Sequence, residues 1–295
     1  MGERWLDDPL VQSAAIPLAV ALVAALAIGR AIGARYAVLS VPLGWIGASL
    51  AIQGGPAWPP VGSSQKLPFA VIGAVAVGGA ICALSERASA GSPRPAIAGG
   101  LRGPLGAAAA AFTAAVVWVA WPLLRSGRPA ALGLVGALCA AGGAALWLLD
   151  RSRERGIEPP LMSLVVACGC APIALSGASA SLAQGAGALA AATGGFLLCN
   201  WPRGRHPFGE LGAFALGIPL LLSISIMVLY TDASPLALAL ACTALLGSEA
   251  ARRLPFFADP PRPLVDRLAF VVICAVPVAI GTWVAWLAES TEPAY

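Results

Sequence analysis

Ten apolar runs, each close to the length of one membrane crossing, follow one another along this chain. They fall near 14–34, 36–53, 67–85, 105–124, 129–149, 161–181, 186–201, 211–230, 233–251 and 265–288. A helix needs about 20 mostly apolar residues to cross the hydrocarbon layer of a bilayer. Backbone polar groups at that depth must be satisfied within the protein, which leaves helices or closed barrels. The expected class is therefore all-α: a polytopic integral membrane helix bundle with about ten transmembrane helices, forming a single transmembrane domain over 1–295. Helix breakers fill the connections, as in GGPAWPP, GSPRPAIAGG, RSGRP, RSRERGIEPP, NWPRGRHP and RLPFFADPPRP. No gap holds a soluble domain.

Composition agrees. Hydrophobic residues make up 59% of the chain and charged ones 11%, with a mean hydropathy of +0.83. A soluble domain carries about 25% charged residues. This excludes a secreted globular domain, a nucleic-acid binder and a disordered regulator. The seven cysteines all lie inside apolar runs, where cysteine behaves as a small hydrophobe, so no disulfide framework is expected. The opening MGERWLDDPLVQS is acidic, unlike the positive start of a signal peptide, so the first run is expected to stay as an anchor.

The basic residues give an orientation. With the two faces alternated from the N-terminus, one face holds Arg4, Lys66, Arg125 and Arg128, and the other holds the remaining 14 of the 18 Lys and Arg residues. Basic residues resist translocation. Both termini are therefore expected on the non-cytoplasmic side, with five short basic loops in the cytoplasm. Helical rather than barrel spans point to a bacterial inner (cytoplasmic) membrane. The parity argument does not see a missing hairpin. The Gly- and Ser-rich stretch 161–201 reads as two full spans, with a re-entrant pair as the alternative.

Tryptophans agree with this map. Trp5, Trp58, Trp118, Trp121, Trp283 and Trp286 fall near the outer interface, and Trp147 and Trp201 near the inner one. Trp45, inside the second run, is the exception. Small residues dominate runs such as GAVAVGGA and GLVGALCAAGGAA, and small faces let helix backbones approach closely.

Intramembrane charge is the usual pointer to function, and here it is nearly absent. Arg30, Glu86, Asp150, Glu249, Asp266 and Arg267 lie within about a turn of a run's end, within reach of snorkelling. The strongest polar set is Ser176, Ser179, Ser181, Gln184 and Thr193, able to line a path for a neutral solute or, more plainly, to bond helix carbonyls. Ser63 and Lys66 have a Ser-x-x-Lys spacing, but the companion Ser-Asp-Asn and Lys-Thr-Gly motifs are missing. Lys66 is expected to snorkel. His206 is the only histidine and Cys168-x-Cys170 lacks a second ligand pair, so no metal or cofactor is expected. Arg151, Arg153, Arg155, Arg203, Arg205, Arg252 and Arg253 are candidate contacts for anionic lipid on the cytoplasmic side.

In length and span count the chain resembles the drug/metabolite transporter superfamily. No motif carries the resemblance, so no residue role is transferred, and that superfamily's cytoplasmic termini oppose the arginine map. Two functions follow as expectations: an accessory or scaffold subunit packing against other membrane proteins, and a permease for a small neutral solute. An enzyme is not expected.

Overall fold

A computed structural model describes residues 8–56, 58–90, 103–201, 204–254 and 263–291, and among these every regular element is helical. Among the described residues nine helices are long and apolar enough to cross a membrane, giving a polytopic, membrane-type bundle. In chain order the elements are α1 (Ile16–Ala31), α2 (Ser40–Ile52), α3 (Ser63–Ala90), α4 (Pro104–Arg125), α5 (Pro129–Arg151), α6 (Glu158–Ser176), α7 (Ala180–Asn200), α8 (Ile218–Tyr230), α9 (Pro235–Cys242), α10 (Gly247–Arg253) and α11 (Pro263–Thr291). A π-turn, Val11–Ala15, leads into α1, a 3-10 turn, Ala34–Leu39, leads into α2, and a second π-turn, Ala213–Gly217, leads into α8. Proline opens α4, α5, α6 and α9, where its missing N–H is no loss and its fixed φ suits a helix, while Pro17 of α1 and Pro219 of α8 closely follow the two π-turns.

The stretch 161–201 forms two full-length helices, α6 and α7, and the turn between them is tight. The Ser179 N–H reaches back to the Ala174 carbonyl and the Ala178 N–H to that of Leu175, both at 3.0 Å. This Schellman-type closure places Ala178 at φ 58°, a left-handed position that glycine normally takes.

The expected ninth span, 233–251, is built differently. It is broken into α9, a 3-10 turn at Thr243–Leu246, and α10, and it is not among the nine. Glu249, Arg252 and Arg253 sit in its last turns and dilute its apolar character. Its two ends nevertheless reach opposite ends of the bundle. Ala233 packs against Gly177 at the α6–α7 turn, while Glu249 pairs with Arg151 at the far end of α5.

Those two ends differ in character. One gathers the α1–α2, α5–α6, α7–α8 and α10–α11 connections, with Arg30, Arg35, Arg151, Arg153, Arg155, Arg205, Arg252, Arg253 and Arg267. The other gathers the α2–α3, α4–α5, α6–α7 and α8–α9 connections, with Lys66, Arg125 and Arg128. Arg4, Arg94, Arg102, Arg262 and Trp5, which entered the sequence argument, lie outside the described residues.

The pass formed by the second π-turn and α8 is the most enclosed, followed by α7, while α1 and α11 expose most of their surface. Phe196, Phe214, Leu216 and Ile218 are fully buried at this centre. Small residues set the close approaches around it. A Cβ added to Gly44 of α2 would lie 2.7 Å from the Pro17 carbonyl oxygen of α1, and one added to Gly281 of α11 would lie 2.6 Å from the Ala237 carbonyl oxygen of α9. At such contacts lipid cannot match the dispersion that backbone against backbone provides.

Candidate functional site

At the end opposite the arginines, four passes enclose a polar notch of about 30 Å³. That is room for about one water molecule. It is lined by Trp45, Ser49 and Gln53 of α2 and its cap, Ser64 of α3, Ser181 and Gly185 of α7, and Ser223 of α8. The buried Trp45 ring donates its Nε1–H to the Gly185 carbonyl at 3.0 Å. This explains the tryptophan that fell away from both interfaces in the sequence: its one polar atom is satisfied inside. Gln53 donates from Nε2 to the Ser64 carbonyl at 3.2 Å. That carbonyl would ordinarily meet the N–H of residue 68, which is Pro68, a proline inside α3 with no N–H to give.

The same device recurs at Lys66. Its side chain does not snorkel outward. Lys66 is buried, 9% exposed, and its Nζ donates to the Trp118 carbonyl at 3.4 Å while lying 5.8 Å from the Trp118 ring centroid. Pro122 inside α4 removes the N–H that would have taken that carbonyl, so the ammonium finds an acceptor on the neighbouring helix.

The five polar residues singled out on α6 and α7 are not gathered into one site. Ser176 donates to the Ile173 carbonyl at 2.8 Å and Thr193, fully buried, to the Leu189 carbonyl at 2.7 Å. Both satisfy their own helix, as hydroxyls in helices commonly do. Ser179 and Gln184 are half-buried, and Ser181 alone of the five lines the notch. Its companions there come from α2, α3 and α8. The Trp45 anomaly was the one sequence signal that pointed to them.

At the arginine-rich end the candidate lipid contacts are engaged with carboxylates. Arg151 pairs with Glu249 at 3.3 Å, which also takes Arg252 at 3.5 Å. Arg153 reaches Asp150 at 3.1 Å and Glu210 at 3.5 Å. Arg155 pairs with Glu158 at 3.5 Å and donates to the Ser248 carbonyl at 3.1 Å, while the Ser248 hydroxyl donates to Glu158 at 2.6 Å. These pairs tie α5, α6, α10 and the start of the α8 pass together. Arg205 and Arg253 are exposed, and Arg203 lies outside the described residues. His206 packs against Gly29 of α1. Its backbone N–H donates to the Asn200 side chain at 2.6 Å, and Nδ1 is buried without a partner. Burial lowers its pKa, Arg205 and Arg30 push the same way, and a hydrogen bond to the Ala34 backbone opposes them.

Beside this network lies a larger, half-open cavity of about 390 Å³ between the first turns of α6 and α11. None of the seven cysteines forms a disulfide, and no group of three potential metal ligands occurs among the described residues. No protein-family model matches the chain, and no curated protein matches it. What the arrangement offers is interlocked packing, one water-sized polar notch, and a charged cavity at one end.

Proposed function

We propose that this chain is a non-catalytic polytopic membrane protein, an accessory or scaffold subunit that packs against other membrane proteins. The observation that carries this reading is the state of four hydroxyls on α6, α7 and α8. Ser176, Thr193, Ser223 and Ser225 donate to carbonyls of their own helices, and large apolar side chains fill the centre around them. Hydroxyls bonded this way leave no donor spare for a passing solute.

The reading includes ten crossings and both termini on the non-cytoplasmic side of an inner membrane. In its support, the segment 235–253 runs between the two ends of the bundle. With the 3-10 turn's longer rise it measures about 30 Å, the thickness of the hydrocarbon layer. The clustering of arginines at one end supports the orientation. A single-domain bundle bounded by lipid, with anionic headgroups on the cytoplasmic side and no nucleic acid, completes it.

A second reading, a permease for a small neutral solute, is favoured by the notch, where Ser49, Gln53, Ser181 and Ser223 converge. One experiment separates them. The protein is extracted from native membrane in mild detergent after brief cross-linking, and the same preparation is tested for solute flux in liposomes. Stoichiometric recovery with another membrane chain supports the scaffold. A lone monomer that moves a solute overturns it.

A further inference from the structure

The 390 Å³ cavity lies where the apolar stretches of α6 and α11 begin, which is headgroup level in a bilayer. Its volume is that of a small-ligand site. Four of its lining side chains are charged, two of each sign: Arg155 and Arg267, Glu158 and Asp266. Leu161 and Phe270, both buried, line its apolar side. Arg155 is held by Glu158 and the Ser248 carbonyl, and Arg267 lies over the Trp201 ring at 5.3 Å. The guanidiniums are therefore placed by packing from two separate elements rather than left to wander. A purely anionic ligand would meet two carboxylates here, and a cation two guanidiniums. The balance fits a ligand that carries both charges close together beside an apolar body.

We propose that this cavity binds a zwitterionic phospholipid through a phosphoethanolamine headgroup. The phosphate lies against Arg155 and Arg267, where the first turns of α6 and α11 add a favourable field. The ammonium lies toward Asp266 and Glu158, and the glycerol end rests on Leu161 and Phe270. A primary ammonium donates hydrogen bonds to a carboxylate, whereas a trimethylammonium has none to give, so the site distinguishes ethanolamine from choline lipids.

The test uses the full chain in nanodiscs of equimolar phosphatidylethanolamine, phosphatidylglycerol and phosphatidylcholine. After gentle extraction, retained lipid is counted by native mass spectrometry. Phosphatidylethanolamine is expected to be enriched about fivefold over each competitor, the scale of one charge contact at a membrane surface. Asp266→Asn shifts retention toward phosphatidylglycerol, and Arg267→Gln lowers retention of all three. Retention in the input proportions overturns the proposal, as does a preference for phosphatidylglycerol in the unaltered protein. Addition of free O-phosphoethanolamine identifies the source of the headgroup. If it binds in place of lipid, the site serves a soluble zwitterion and the lipid assignment fails.

Discussion

Lys66 gives its ammonium to the backbone carbonyl of Trp118, 3.4 Å away on the next helix. The contact exists because Pro122 leaves that carbonyl without its usual helical partner. Lysine and proline thus form a functional pair without touching. In Lys66→Met the buried carbonyl loses its donor, a cost of about 1–3 kcal/mol. In a Pro122→Ala background the helix repairs itself, and the same substitution is expected to cost much less. A double-mutant cycle by reversible unfolding in mixed detergent measures the coupling. Effects that add to within about 0.5 kcal/mol would show that the two positions are independent.

Gly281 supplies the second prediction. A methyl group there meets the Ala237 carbonyl oxygen at 2.6 Å, and neither backbone can retreat without opening the α9–α11 seam. Gly281→Ala is expected to lose about 1–3 kcal/mol. Gly47→Ala, where a Cβ meets nothing within 4 Å, is expected to be neutral or to gain up to ~1 kcal/mol from helix propensity. Comparing the thermal midpoints of the two variants decides it, and equal losses would remove the steric argument.

Ala178→Gly is expected to stabilise. The residue sits at φ 58°, where a Cβ costs roughly 1 kcal/mol that glycine avoids. A midpoint that falls instead would mean that the α6–α7 turn tolerates alanine without strain.

His206 makes stability depend on pH. Burial, first, and the neighbouring Arg205 and Arg30 hold its pKa below the ordinary 6.5. The unfolded chain therefore takes up this proton before the folded one does. Its contribution to stability is present in full above 6.5, declines as pH falls through the window beneath it, and levels off below the folded value. His206→Gln is expected to flatten that part of the curve. Unfolding midpoints measured between pH 8 and 5 test this, and an unchanged slope in the variant would assign the pH dependence elsewhere.

Much of the fold was legible because the bilayer imposes long, unbroken apolar helices that pattern alone reveals. The limits of α4 and α5, and of the pass made by the second π-turn and α8, fall close to the expected runs. The reading weakened where local chemistry interrupts the pattern. In 233–251 a 3-10 turn at Thr243–Leu246 divides a single apolar run into α9 and α10. The site was less legible still. Serines on α6 and α7 looked like a group because they are neighbours in sequence, but Ser176 and Thr193 turn back onto their own helices. The notch instead joins Gln53 and Ser64, at the facing ends of two consecutive passes, to Ser181 and Ser223 far along the chain, a convergence that no spacing rule encodes. Trp45 was the exception that hinted at it, since an indole at lipid depth needs an acceptor. Lys66 was misplaced because snorkelling considers only its own helix, whereas its partner was created by a proline on another.

The ion pairs at the arginine-rich end carry one last implication. Arg151, Arg153, Arg155 and Arg252 each face a carboxylate of this same chain. Three of these pairs join residues three apart in sequence and close with the local helix, whereas Arg151–Glu249 and Arg153–Glu210 close only when the bundle assembles. Glu249, Asp150, Glu210 and Glu158 quench those four charges locally, while Arg205 and Arg253 stay exposed. The charge presented at that end is therefore smaller than a count of its arginines suggests, and its attraction for negatively charged partners will be weaker in proportion.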